Sequence, residues 1–402
     1  MKLHVVAGEN RLSPLRSRSR SRKSVWPRAT IAALLLVIVA LGSIALYYSP
    51  IMDGFRAGTV TPQTPAQLSL TPVQIYADSS QSVVTIQGVV NDMTLGSYPN
   101  GTLTPVLGTG FVVLYSSQDY VVTNYHVVDG LLNATVTFSN GDSFPGRVVG
   151  SDAYSDLAVV SVNAPSSEFH PLQIGSSHAL QVGETVVAIG NPYGLSNTVT
   201  VGVVSQLGRA LQTDTLGGYA IPDTIQFSAA VNPGNSGGPL IAPDDTVVGI
   251  TSAAVSNSEG LGFAIPSDTI TREMPFLIRT GNYNKHPYLG VGVISMTYQL
   301  SQAIGTNVTY GLLIERVVPG GPASVAGLKG GSQNVTIQQQ EYFIGGDIIV
   351  SVNGHRITDY DSFSSYLEEN AVAGQTVNLG IIRNGQYVVI SVLLGSRPPL
   401  SA

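Results

Sequence analysis

The chain has 402 residues, of which 43% are hydrophobic, with 44 Gly, 23 Pro, no Cys and a formal net charge of −6. That length holds about two or three domains, and the Gly and Pro content favours turn-rich β structure over helical bundles. The lack of cysteine excludes disulfides, thiolate metal sites, a cysteine nucleophile and a cysteine-linked lipid anchor.

Charge is divided unevenly along the chain. Residues 1–28 hold eight Lys or Arg against Glu9 alone, so the remainder carries a net −13. No basic patch for nucleic acid exists outside this tail, and no nucleic-acid partner is expected. Residues 29–48 are twenty uncharged, mostly apolar residues, which as a helix span about 30 Å, the hydrocarbon thickness of a bilayer. A cleaved signal peptide is the closest rival. The run exceeds the usual signal-peptide core and ends in Tyr47-Tyr48, which suits an interfacial anchor better than a cleavage site. The Arg-Ser alternation at 16–22 resembles an RNA-binding tract, but with a span following directly it reads as a topogenic signal. The positive flank places the N-terminus in the cytoplasm and the rest of the chain outside it. Residues 49–72, with Pro50, Pro62, Pro65 and Pro72 among Thr, Gln and Ser, read as a linker.

From 73 to 282 short apolar stretches alternate with turns, as in 110–114, 120–123, 157–162, 185–189 and 247–251, the pattern of a barrel or sandwich. Residues 87–107, broken by Pro99, Asn100-Gly101 and Pro105, and residues 207–222 read as long mobile loops. A smaller α+β unit occupies 286–396, with one amphipathic helix at 359–370 and two closing strands at 376–383 and 386–394.

The stretch 232–240, Asn-Pro-Gly-Asn-Ser-Gly-Gly-Pro-Leu, sets Ser236 among glycines. Glycines permit a backbone turn closed to other residues, and such a turn can aim two N–H groups at one point. A bland surface loop would also be glycine-rich, so a serine nucleophile needs a base and an orienting acid as well. Among six histidines, His126 alone directly follows a strand, where a general base is held firmly. Asp156 opens the strand 157–162, whereas Asp142 and Asp152 lie in turn-like sequence and read as solvated. The chain order His126, Asp156, Ser236 is that of chymotrypsin-type enzymes, not of subtilisins or α/β-hydrolases.

These residues resemble the HtrA/Deg family of serine proteases. Thr123-Asn124-Tyr125-His126-Val127-Val128, Asp156-Leu157-Ala158-Val159 and Gly234-Asn235-Ser236-Gly237-Gly238-Pro239-Leu240 are similar to its three catalytic motifs. Gly108-Thr109-Gly110-Phe111 resembles the entry to its first barrel, and 262–266 its protease-domain exit. Tyr288-Leu289-Gly290-Val291 resembles the carboxylate-binding loop of its PDZ domain, and the likeness extends over roughly 73–396. Residues 329–344 are an insertion expected to reshape one edge of the PDZ domain.

The resemblance implies a mainly β protein: a chymotrypsin-like pair of six-stranded barrels, then a PDZ domain, behind one N-terminal transmembrane helix. It implies a serine endopeptidase with His126, Asp156 and Ser236 as triad, and Gly234, Asn235 and Ser236 forming the oxyanion hole. Uncharged Ala230, Val231, Thr251 and Ala253 are expected to wall the specificity pocket and to favour cleavage after small or medium apolar residues. The expected substrates are unfolded proteins, with C-terminal peptides bound at 288–291. A homotrimer is implied, and with a single PDZ unit large cages are not. No metal or cofactor is expected. The competing reading is a catalytically silent, membrane-tethered chaperone or PDZ scaffold. Asn100, Asn133, Asn307 and Asn334 begin glycosylation sequons that fit an outward-facing domain.

Overall fold

A computed structural model of the protein describes residues 69–92, 102–191, 197–212, 219–254 and 260–399. The basic tail, the expected membrane span at 29–48 and most of the linker lie outside the described residues. Among the described residues no helix is long and apolar enough to cross a membrane. Helix α1 (Pro72–Ser79) begins at the end of the expected linker. There Thr71 and Gln74 form a reciprocal capping box ahead of a proline in the first turn.

Two barrels follow. β1 (Val83–Asp92), β2 (Thr102–Tyr115), β3 (Gln118–Thr123), β4 (Leu131–Thr137), β5 (Ser143–Asp152) and β6 (Leu157–Val162) close the first, in the order β1-β2-β3-β6-β5-β4. A single helical turn, α2 (Tyr125–Val128), follows β3. β7 (Thr185–Gly190), β8 (Thr198–Gln212), β9 (Ala220–Phe227), β10 (Pro239–Ile241), β11 (Val247–Ala254) and β12 (Gly262–Pro266) close the second, in the order β10-β11-β12-β9-β8-β7.

The near-continuous apolar character of β3, β6 and β7 has a simple cause, because both of their faces are buried. Side chains alternate across a strand. Val84, Val112, Val121 and Val160 fill the first barrel, while their neighbours Val83, Phe111, Val122 and Val159 join a cluster with Val187, Ile189 and Ile250 of the second. Each such buried side chain contributes roughly 1.5–3 kcal/mol, so the cluster holds the two barrels in one fixed relation.

The two expected long loops are largely strand. β1 pairs with β2 from Val83↔Phe111 to Asp92↔Thr102, leaving 93–101 outside the described residues. Pro105 lies where β2 has only β1 beside it, an edge that tolerates proline. Likewise β8 and β9 pair as far as Gln212↔Ala220 through three register shifts. Those bulges, with Gly208 at φ +69°, hide the alternation in the sequence.

Helix α3 (Ser267–Thr280) follows the second barrel, buries Ile270, Met274 and Leu277 in the inter-barrel cluster, and ends on left-handed Gly281. Its pattern is masked because Glu273 and Thr269 share the buried face and Pro275 interrupts the run.

In the C-terminal unit β13 (Pro287–Tyr288) and β14 (Val291–Ser295) precede α4 (Tyr298–Ile304), β15 (Leu312–Val317) and α5 (Pro322–Val325). β16 (Gln333–Ile337), β17 (Gln340–Ile344), β18 (Ile348–Val352), β19 (His355–Arg356), α6 (Tyr360–Asn370), β20 (Thr376–Arg383), β21 (Gln386–Leu393) and β22 (Gly395–Ser396) complete it. The main sheet runs β14-β15-β18-β20-β21 and leaves β14 on an edge. α6 is capped by Asp359, and it packs on β14 and on β8 and β9 of the second barrel. The insertion folds as the hairpin β16–β17, turning through Gln338 and Gln339 at positive φ. Val335, Ile337 and Tyr342 tuck it beneath the sheet beside Leu313 and Val350.

Candidate active site

His126 sits in α2, directly after β3, and keeps 43% of its side-chain area open. Its Nδ1 lies 2.9 Å from Asp156 Oδ2 and 3.0 Å from Oδ1, and its backbone N–H donates to Oδ1 at 3.0 Å. Asp156 is nearly buried and left-handed at φ +53°, a conformation that aspartate tolerates and that aims the carboxylate back at α2. Two further donors hold it: Asn124 Nδ2 to its carbonyl at 2.9 Å and Ser252 Oγ to Oδ2 at 2.7 Å. Burial opposes charge on His126, but the hydrogen bond and charge of Asp156 outweigh it and raise the imidazole above its ordinary value.

Ser236 stands on a turn that only glycine can build. Gly237 has φ +90°, and a Cβ there would fall 2.0 Å from the Thr109 carbonyl and 2.3 Å from Thr123 Oγ1. At Gly238 a Cβ would meet the Ile189 carbonyl at 2.2 Å. The first barrel grips the turn through Thr109. Its N–H donates to the Ser236 carbonyl at 2.9 Å, and its hydroxyl donates to the Gly234 carbonyl at 2.5 Å while accepting Asn191 N–H at 2.9 Å. Thr123 Oγ1 in turn donates to the Thr109 carbonyl at 2.7 Å. The Ser236 hydroxyl donates to the Ser252 carbonyl at 2.5 Å. Ser252 therefore touches both Ser236 and Asp156, and it draws the three separated residues into one site.

Two expected site residues have other duties. Thr251, expected in the pocket wall, is fully buried, and its hydroxyl donates to the Asn235 and Gly238 carbonyls at 2.7 and 3.1 Å. It braces the turn that carries Ser236. Asn235 spends its N–H on the Asn232 carbonyl at 3.0 Å, which leaves Gly234 and Ser236 N–H as the donors at the turn. Ala230 is exposed and Val231 half-buried beside the turn, while the side chain of Ala253 lies outside the described residues. In the C-terminal unit, Leu289 and Gly290 use their carbonyls to accept Ala323 and Val318 N–H at 2.9 Å, with Gly290 at φ +77°. Tyr288 pairs with β22 and Val291 opens edge strand β14.

Thr109 and Thr123 stand in motifs the sequence marks, but neither their bracing contacts nor those of Ser252 are legible there. The glycines flanking Thr109 were the available signal, since a threonine between two glycines can approach a neighbouring backbone closely.

Asp142 is exposed, as expected, but Asp152 is not solvated. Asp152 is buried because it accepts Tyr154 N–H, Ser155 N–H and Ser155 Oγ, and lies 2.6 Å from His286 Nε2. Asp152, Glu273 and His286 bring ligand-type atoms within 4.8 Å of one another. Both His286 nitrogens already face carboxylates, and Arg272 supplies positive charge beside Glu273 and Glu368. The donor set suits an ion-pair cluster better than a metal.

Comparison with known proteins bears on this geometry. A trypsin-like peptidase domain matches residues 108–250, and a PDZ domain matches residues 287–394. The chain is 35% identical over 376 residues to Protease Do-like 1, chloroplastic, of Arabidopsis thaliana, covering 91% of this chain and 81% of that protein. It is 34% identical over 307 residues to Serine protease Do-like HtrA of Bacillus subtilis, covering 72% of this chain and 64% of that one. Among solved structures it is similar to the HtrA-type protease AlgW with tripeptide, at 29% identity and a TM-score of 0.63, covering 82% of this chain and 98% of that chain.

Proposed function

This chain belongs to the HtrA/DegP family of serine proteases, and we propose that His126, Asp156 and Ser236 are the triad of its endopeptidase site. The observation that carries the assignment is the continuous hydrogen-bonded path His126–Asp156–Ser252–Ser236, with the serine on a glycine turn. Turned from the Ser252 carbonyl toward His126 Nε2, Ser236 Oγ attacks a peptide carbonyl as the imidazole takes its proton. Asp156 holds the imidazole tautomer and stabilises the imidazolium. The N–H groups of Gly234 and Ser236 receive the oxyanion, each such donor being worth about 3 kcal/mol.

Uncharged residues beside the turn favour cleavage after small or medium apolar residues. The substrates are unfolded proteins outside the cytoplasm, and C-terminal peptides add a strand to the free edge of β14 against α6, with loop 288–291 at the terminal carboxylate. Solved relatives described with a tripeptide and with a decapeptide support peptide binding. Residues 29–48 anchor the chain in the membrane with the N-terminus in the cytoplasm, and the protein is a homotrimer. Both of these follow from the resemblance and the charge pattern.

The test is casein cleavage by the full-length chain and by Ser236→Ala, with and without apolar C-terminal peptides. Loss of cleavage in the alanine variant and acceleration by peptide are expected. Equal cleavage by both proteins would remove Ser236 as nucleophile. Peptide binding without any cleavage would favour the chaperone or scaffold.

A further inference from the structure

The turn that aims Asp156 is fixed from outside the barrel. Asp152 ends β5 and accepts Tyr154 N–H at 3.3 Å, and Ser155 N–H and Oγ at 3.2 and 2.7 Å, while Asp156 N–H donates to the Ala153 carbonyl at 3.3 Å. The carboxylate thus sets the path of residues 152–156 and, through it, the left-handed backbone at Asp156. Behind Asp152 stands His286, at the start of the PDZ unit. It is 2% exposed, with Nε2 2.6 Å from Asp152 Oδ2 and Nδ1 2.9 Å from Glu368 Oε1 of α6. With a carboxylate at each nitrogen the ring donates twice, which only the imidazolium can do. The rings of Tyr154 and Tyr283 stand edge-on to it, with centroids at 5.6 and 4.9 Å, and pack against the imidazole.

We propose that His286 is a positioning residue for proteolysis, one that locks the Asp152–Asp156 turn to α6 and so fixes the acid partner of His126. This rests on the assignment of Asp156 to the triad. Charge balance supports it. Glu273 and Arg272 of α3, Glu368 of α6 and Arg397 near the C-terminus complete the cluster around His286 and Asp152. Burial disfavours the charged ring, yet Glu368 and Asp152 overcome it and raise His286 to about 10, so the imidazolium persists through the working pH range.

The test uses the full-length chain with a short internally quenched peptide. His286→Ala, which frees the Asp152 carboxylate, is expected to lower kcat roughly ten- to hundred-fold, the range of an ångström-scale misplacement of a catalytic group, with KM little changed. With Asp156 displaced, His126 loses the influence that raises its pKa, so the acid limb of kcat/KM should move to lower pH. His286→Gln keeps an amide donor for Asp152 and should restore most of kcat. A folded His286→Ala with wild-type kcat and an unmoved acid limb would overturn the proposal. So would failure of both variants to fold, which would make the cluster an element of stability alone. Ser236→Ala and Asp156→Ala run in parallel separate the two ideas: full activity in either sinks the triad, whereas their loss beside an unaffected His286→Ala sinks only the positioning role.

Discussion

Replacing Thr109 by valine isolates the grip of the first barrel on the nucleophile turn. Valine keeps the shape and puts a methyl where the hydroxyl stood. Thr109 is fully buried, and two partners lose their bond: the Gly234 carbonyl and Asn191 N–H. A buried polar group left unpaired costs about 1–3 kcal/mol, so the pair should destabilise the protease domain by roughly 2–5 kcal/mol. For a domain of this size that lowers Tm by about 5–15 °C. The kinetic effect is separate. The peptide plane between Gly234 and Asn235 is pinned at its carbonyl by Thr109 and at its N–H by the Asn232 carbonyl. With one pin gone the plane can rotate, and the turn loosens at Gly234, whose N–H in the adjoining plane loses its aim. Complete loss of one oxyanion donor costs about 10²–10³ in kcat, which sets the upper limit, and a drop of at least about ten-fold is expected. Hydrolysis of a short peptide at 25 °C, below both melting transitions, measures it free of unfolding. Thr109→Ser, which keeps the hydroxyl, should stay close to wild type. A Thr109→Val enzyme with unchanged kcat and Tm would refute the idea that this hydroxyl holds the turn.

Ser252→Ala removes one donor from the Asp156 carboxylate while leaving the carbonyl that receives Ser236. A hydrogen bond to a charged group contributes about 1.5–3 kcal/mol, so kcat for a short peptide should fall roughly ten- to hundred-fold with little change in KM, and a wild-type kcat would remove Ser252 from the site. The ion-pair cluster predicts an asymmetric pH dependence of stability. His286 is raised to about 10, so its contribution is whole below its unfolded value near 6.5 and is lost as pH rises through 10. Glu273, raised to about 7 by burial and by Asp152, loses its contribution earlier, as pH rises from about 4.5 to 7, and adds nothing to the fall above that. Glu368 is pulled down to about 2, its burial outweighed by His286, Arg272 and Arg397, so its contribution is lost only as pH falls from about 4.5 toward 2. Calorimetric scans should therefore show Tm falling between pH 7 and 10, and a Tm that is flat over that range would contradict it.

Much of the protease was legible because its signals are local. Runs such as 120–123 of β3 and 157–162 stay apolar because each strand has a barrel on one face and the partner barrel on the other. The turns between them are marked by Gly, Asn and Asp. The candidate site was legible for the same reason: His126 and Asp156 each stand at a strand boundary, and the glycines at 237 and 238 are enforced by backbones 2.0–2.2 Å from where a Cβ would be. What stayed hidden depends on partners far along the chain. Asp152 reads as a turn aspartate, and nothing near it announces His286, 134 residues away. Thr251 looks like a pocket residue until the Asn235 and Gly238 carbonyls fold onto its hydroxyl. The β8–β9 hairpin was hidden by its bulges, which break the alternation that marks a strand.

The arrangement also constrains how the two units can influence each other. His126 and Asp156 belong to the first barrel and Ser236 to the second, so the site exists only while the barrels keep one relation. The shared cluster of Phe111, Val122, Val187 and Ile250 sets that relation coarsely, and Thr109 and Ser252 set it finely through hydrogen bonds. α6 touches this system on two sides. Asp361 near its start pairs with Arg209 of β8 at 2.8 Å and accepts Ala210 N–H, while Glu368 near its end holds His286. The first contact is half-exposed and contributes at most about 1 kcal/mol. The second is buried, and breaking one member of such a cluster strands the opposite charge, typically at about 3–5 kcal/mol. A displacement of α6 therefore meets a soft restraint at its N-terminal end and a stiff one at its C-terminal end.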